Sequence, residues 1–151
     1  MSNEVKGTYI LLIELPEERK IMVGKLGTLE FPKGFYAYVG SALKGFQPRI
    51  NRHLQKSKKL RWHIDYLLEK GEIFEIILCP SEQKTECLLA QKLAKRLKFI
   101  PGFGSSDCNC RSHLFLEAGK GVLKEKILLK LAELGWPYRI FSPPQYRNSK
   151  I

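Results

Sequence analysis

Four residues between Tyr38 and Glu86 have the types and spacing to do chemistry together. Tyr38 lies in Phe35 to Val39, a run rich in aromatic and β-branched residues and bounded by glycines, which reads as a β-strand. Pro48 suits the first turn of a helix, where its missing N–H has no partner to lose. Arg49 and His53 lie four residues apart, so that helix carries them on one edge. A phenol and an imidazole are proton-transfer groups, and a guanidinium holds anionic oxygens. Glu86 lies four residues before Ala90 and seven before Leu93, at the head of an apolar helical stripe. A carboxylate there is costly unless it is paired or holds a metal. A helix-start glutamate favoured by the macrodipole is the plainer reading.

Each of the others also has a plainer reading. Tyr9 and Tyr38, taken singly, are packing tyrosines whose hydroxyls find one partner. Arg49 alone is a surface or phosphate-contacting arginine, and His53 alone a helix-face histidine. Cys108, Cys110 and His113 supply three possible zinc ligands, with Cys87 or His63 a distant fourth. Structural zinc takes four ligands, commonly in paired short spacings, so zinc is not expected. Cys79 sits in an apolar strand and reads as core.

The charge is +11, from 26 Lys+Arg against 15 Asp+Glu. Such an excess favours polyanions, nucleic acid first and an anionic membrane surface second. A solubilising lysine-rich surface is the alternative. The charge is clustered: Lys44 to Arg61 holds seven cations and no acid. Lys44, Arg52 and Lys56 are the expected nucleic-acid contacts. No apolar run reaches the length of a membrane span and the N-terminus lacks a signal-peptide core, so the expectation is a cytoplasmic protein with reduced cysteines.

These residues need positioning elements. Gly7 to Leu15 reads as a buried strand with Tyr9, Leu11, Ile13 and Leu15 on one face. Lys20 to Val23 and Thr28 to Phe31 form a hairpin leading to the Tyr38 strand. A short helix covers Arg61 to Leu68, and Ile73 to Cys79 is a strand. Ser81 caps a long helix running to about Phe99. A loop spans Pro101 to Cys110, with an edge strand over Ser112 to Glu117. An amphipathic helix from Val122 to Leu134 stops at Gly135. Tyr138 to Phe141 is a last strand, and Ser142 to Ile151 a mobile basic tail. The expectation is one α+β domain over residues 1–151, with a small, mainly antiparallel sheet flanked by helices. Its core spans about 7–99, followed by an extension over about 100–141.

In order and type, these motifs resemble those of the GIY-YIG nuclease superfamily, specifically a small uncharacterised branch of it. Gly7-Thr8-Tyr9 and Tyr38-Val39-Gly40 resemble its two name-giving motifs. Arg49 and His53 fall on its helix arginine and following histidine, and Glu86 on its metal-binding glutamate. Phe35 to Ala42, Arg61 to Leu67 and Phe103 to Cys108 resemble the branch's signatures. The two tyrosines are 29 residues apart here, where about ten is usual in the family, so the hairpin must protrude and leave their strands paired. The resemblance implies phosphodiester hydrolysis. One Mg²⁺ or Mn²⁺ on Glu86 would stabilise the leaving oxygen, Tyr38 or Tyr9 would activate water, Arg49 would hold the phosphate, and His53 would orient the water or relay its proton.

The expected function is therefore a metal-dependent endonuclease acting on DNA, rather than RNA, in repair. One alternative is a nucleic-acid-binding module on the same scaffold without catalysis. The other is a zinc-containing interaction protein.

Overall fold

A computed structural model describes residues 5–149. Its centre is strand β1, Gly7–Leu15, whose residues are buried on both faces apart from Glu14. That burial explains a nearly unbroken apolar run, as expected for a strand covered from both sides. β1 pairs antiparallel along its whole length with β4, Gly34–Ala42, and on its other edge with β5, Glu72–Pro80. Outside β4 lie β7, Leu114–Glu117, and then β6, Lys98–Phe99; outside β5 lies β8, Arg139–Phe141. All neighbours of this six-stranded sheet are antiparallel.

Two apolar layers follow from the alternation of side chains across the strands. One face carries Tyr9, Leu11, Ile13 and Tyr36, packed against helix α1, Phe46–Leu54, and helix α2, His63–Leu68. The other carries Ile10, Leu12, Ala37 and Val39, packed against α3, Glu86–Leu93, and α4, Lys120–Leu134. The molecule is a mixed α+β fold, as the sequence implies. No helix among the described residues is long and apolar enough to cross a membrane.

The hairpin between the tyrosine strands is real but does not simply protrude. Strands β2, Arg19–Met22, and β3, Thr28–Phe31, form a separate ribbon. It buries Ile21, Val23 and Phe31 in the first core while β1 and β4 stay paired.

Four boundaries depart from the sequence reading. Ser81 does not cap a helix: β5 runs to Pro80, the Ser81 N–H donates to the Lys6 carbonyl at 2.9 Å, and its hydroxyl takes the Gln83 N–H. The helix begins at Glu86 and ends by Leu93, because Lys98 and Phe99 become an edge strand. That pairing also removes β7 from the sheet edge. Helix α2 begins at His63, since Asp65 turns back to take the N–H groups of Arg61 and Trp62. The tail is ordered through α5, Pro143–Arg147, where Ser142 and Gln145 form a reciprocal capping pair and Tyr146 is buried. The last two residues of the expected tail, 150 and 151, lie outside the described residues.

Candidate functional site

β7 stops pairing with β4 at Leu114 opposite Tyr38. Beyond that point the end of β4 opens into a cleft of about 640 Å³. Its floor is Tyr38 to Ser41. One wall is Arg49 of α1 with Trp62 and His63 at the start of α2. The opposite wall is Lys84, Glu86 and Cys87 at the start of α3, and the loop from Gly104 to Cys108 closes the side. Residues separated by up to 75 positions thus converge because two helices, one on each sheet face, both begin beside the end of β4.

Register decides which tyrosine faces the cleft. Tyr9 pairs with Gly40 and Leu11 with Tyr38, so the tyrosines are diagonal neighbours on one face, with rings 6.4 Å apart. Tyr9 is buried and outside the cleft lining; Tyr38 is partly exposed and lines it. Gly40 is required by this arrangement, because a Cβ there would lie 2.4 Å from the Tyr9 phenol carbon and oxygen. Burial raises the Tyr9 phenol well above its ordinary value. Burial also pushes Tyr38 up to about 12, against a lowering influence from the Arg49 guanidinium.

His53 lies beneath the cleft, not in its lining. Its Nε2 is 2.7 Å from the Tyr9 hydroxyl, and its Nδ1 has no hydrogen-bond partner among the described residues. Burial lowers its pKa to about 3, so the imidazole is neutral at physiological pH. Among the expected site residues, Tyr9 and His53 are therefore a buried hydrogen-bonded pair behind Tyr38.

Arg49 is pre-set for an anion. It donates to the Ser41 carbonyl at 3.1 Å, and its guanidinium lies 4.5 Å from the Trp62 ring centre. Arg52 stacks on the same ring at 4.2 Å but is consumed by structure. It donates to both Asp65 oxygens, at 2.8 and 2.9 Å, and to the Lys59 carbonyl. Burial alone would raise the fully buried Asp65 carboxyl, but hydrogen bonds from Arg52 and from the Trp62 and Arg61 N–H groups outweigh it and hold it low. Arg52 is thus a scaffold residue rather than a phosphate contact. Lys56 pairs with exposed Glu72 away from the cleft. Lys44 alone of the three expected contacts lines the cleft, joined there by Arg61 and Lys84.

Glu86 is 6% exposed at the first turn of α3. One oxygen, Oε1, lies 3.7 Å from Lys84 Nζ and receives a long contact from the Cys87 thiol. The other, Oε2, is buried without a hydrogen-bond partner among the described residues. Lys84 thus partly explains a carboxylate that the sequence left unpaired, and Oε2 remains unexplained by packing. Thr85, just before it, shares a 2.8 Å hydroxyl contact with buried Thr8 of β1, which fixes the start of α3 to the sheet.

The expectation against a fourth zinc ligand is corrected. Cys87, Cys108, Cys110 and His113 bring their ligand atoms within 4.8 Å of one another, a group that could hold a metal ion. The helix supplies what the loop spacing lacks. Burial and the neighbouring thiols push Cys87 up to about 12, and burial raises Cys110. Burial also lowers His113 below its ordinary value, although its contact with the Val39 carbonyl opposes this. Cys79, by contrast, is core, as read.

Trp62 and Lys84 were missed as site residues. Trp62 has the spacing of a packing residue with Tyr66 and does pack, partly buried, against the first core; only the fold reveals that its ring also lines the cleft beside Arg49 and Arg52.

The fold and cleft define a small antiparallel α+β protein with a basic, carboxylate-bearing groove. The chain belongs to the family described as Domain of unknown function DUF123, whose model matches residues 8–135. No curated protein and no solved structure matches it. The match corrects the resemblance to the GIY-YIG nuclease superfamily. The family whose model covers the chain is described only as a domain of unknown function, it carries no nuclease assignment, and the match does not show a link to that superfamily.

Proposed function

We propose that this chain is a divalent-metal-dependent endonuclease that hydrolyses phosphodiester bonds in DNA, with a role in repair. The reading stands on the cleft and not on any family. Its carrying observation is the buried Oε2 of Glu86, without a hydrogen-bond partner among the described residues, in a groove whose charged lining is Lys44, Arg49, Arg61 and Lys84 against Glu86 and Asp107. A basic groove attracts a phosphate backbone, and a buried carboxylate within it would repel that backbone unless it held a cation.

The donor set fits a hard ion. One carboxylate oxygen, completed by waters and substrate oxygens, suits Mg²⁺ or Mn²⁺. When bound, such an ion supplies charge neutralisation at the scissile phosphate. Arg49 would take the non-bridging oxygens in a fixed orientation, since Ser41 and Trp62 already hold its guanidinium. Lys44 and Arg61 would hold the flanking phosphates. Tyr38 Oη would position the attacking water and accept its proton. Tyr9 and His53 would keep the Tyr38 ring in place from behind. The Tyr38 phenol is protonated at neutral pH, so base catalysis by it draws on a small ionised fraction.

A second reading, a nucleic-acid-binding module without catalysis, draws on Lys84, whose ammonium already pairs with Glu86 Oε1. Incubation with labelled single-stranded, duplex and branched DNA, and with RNA, in Mg²⁺, Mn²⁺ or EDTA separates the two. The nuclease reading expects DNA cleavage that EDTA abolishes. Binding without cleavage of any substrate under either metal supports the second reading.

A further inference from the structure

We infer that Cys87, Cys108, Cys110 and His113 form a closed structural zinc site that ties the first turn of α3 to the loop and strand on the other sides of the cleft. Four ligands are present, which is what a structural site needs and a catalytic zinc with an open position does not. Tetrahedral zinc with Zn–S near 2.3 Å and Zn–N near 2.0–2.1 Å sets ligand atoms about 3.5–3.8 Å apart. His113 Nε2 lies 3.4 Å from Cys108 Sγ and 3.9 Å from Cys87 Sγ, and all four ligand atoms fall within 4.8 Å of one another.

The surrounding groups are those of a metal site. His113 Nδ1 lies 3.0 Å from the Val39 carbonyl. A proton on Nδ1 donated there leaves the Nε2 lone pair facing the thiols, the usual way a carbonyl orients a ligand histidine. Gln91 Nε2 approaches Cys110 Sγ at 4.0 Å from the next turn of α3. The loop carrying Cys108 and Cys110 is held by backbone bonds from Gly102 to Arg111 and from His113 to Phe103, both 2.8 Å. Thiolates and imidazole select a softer ion than the single carboxylate of Glu86 does.

Cys87 follows Glu86 directly, and Val39 lies between Tyr38 and Gly40. The zinc would therefore lock the carboxylate wall to the tyrosine floor. Three thiolates and a neutral imidazole around Zn²⁺ leave a net charge of about −1. The site consequently does not neutralise Glu86, and it stays distinct from a hard cation held there. This positioning consequence rests on the reading of Glu86 given above; the zinc site does not.

The test uses the full chain purified without chelator. Elemental analysis should return about one zinc per chain. Removal with a thiol-reactive mercurial and a chelator, then reversal under reductant, should give a protein of lower melting temperature that zinc restores. Cobalt added to this apoprotein should produce sulfur-to-cobalt charge-transfer and tetrahedral d–d bands. Cys108→Ser with Cys110→Ser should lose the zinc; if that variant fails to fold, the cobalt spectrum of the wild type carries the test. Zinc-free protein in which Cys87, Cys108 and Cys110 titrate freely and which gives no cobalt bands overturns the inference, and so does zinc retained by the folded double variant. A protein that holds zinc but cuts no nucleic acid supports this inference while contradicting the nuclease reading. One that cuts but takes up no zinc or cobalt does the reverse.

Discussion

At the residue scale, the chemistry divides between groups in the cleft and groups behind it. Tyr38 and Arg49 line the cleft; Tyr9 and His53 support them from below. Tyr38→Phe should lower cleavage by about 10²- to 10⁴-fold, the usual worth of a positioned proton acceptor, while leaving DNA affinity unchanged. With the phenol pushed up to about 12, the wild-type rate should also climb with pH through the neutral and mildly alkaline range, because the ionised fraction grows. A flat profile between pH 7 and 9, at about the same rate in Tyr38→Phe, would remove Tyr38 from the mechanism. His53 carries a stability prediction of its own. Burial lowers its folded pKa to about 3, below the unfolded value of about 6.5, so its folded form is neutral. The unfolded chain then binds the extra proton. The contribution is fully present above pH 6.5 and is lost as pH falls through the folded value, at a cost on the order of a few kcal/mol. Urea unfolding from pH 7 to pH 4 should show this loss, and His53→Phe should show less of it. The sequence made Tyr38, Arg49 and Glu86 legible through their combined spacing, since none is a strong signal alone. It could not choose the fourth metal ligand from Cys87 and His63: Cys87 joins the 108–113 cluster only through the packing of α3 on the sheet.

At the element scale, two junctions hold the cleft open, and each can be broken singly. Gly40 lets β4 pass the Tyr9 ring. Gly40→Ala must push that ring aside, since its Cβ would come within 2.4 Å, and should cost about 1–3 kcal/mol in urea denaturation. Unchanged stability would mean that β1 and β4 yield there. The other junction is Asp65, which binds Arg52 and the start of α2. Asp65→Ala should cost about 2–3 kcal/mol, at the lower end for a broken buried pair because Arg52 keeps some contact with water. The elements themselves were largely readable. The buried strand β1, the hairpin, Pro48 in the first turn of α1 and Gly135 closing α4 all follow local rules. The misplaced boundaries have physical causes. Ser81 has cap chemistry but spends it on a turn after β5. The helix expected up to Phe99 is interrupted because Lys98 and Phe99 pair with β7. The Ser142–Gln145 capping signal was present in the sequence but lay in a stretch read as a tail.

At the scale of the whole molecule, the net charge is +11, and four cations against two acids line the groove. DNA binding should therefore weaken steeply with salt, by roughly one log-log unit per phosphate contact. Lys44→Ala should reduce that slope by about one unit, whereas Lys56→Ala, at a residue paired with Glu72 away from the cleft, should change it little. An affinity indifferent to salt would contradict a phosphate-tracking groove. The account turns most directly on Glu86, so the decisive measurement is cleavage and DNA binding by wild type and Glu86→Gln side by side, in Mg²⁺ and in Mn²⁺. Glutamine keeps the shape of the side chain and removes its charge. The account predicts metal-dependent cleavage by the wild type, none by the variant, and equal or tighter DNA binding by the variant, since a negative charge near phosphate has gone. Cleavage by Glu86→Gln at the wild-type rate would contradict it.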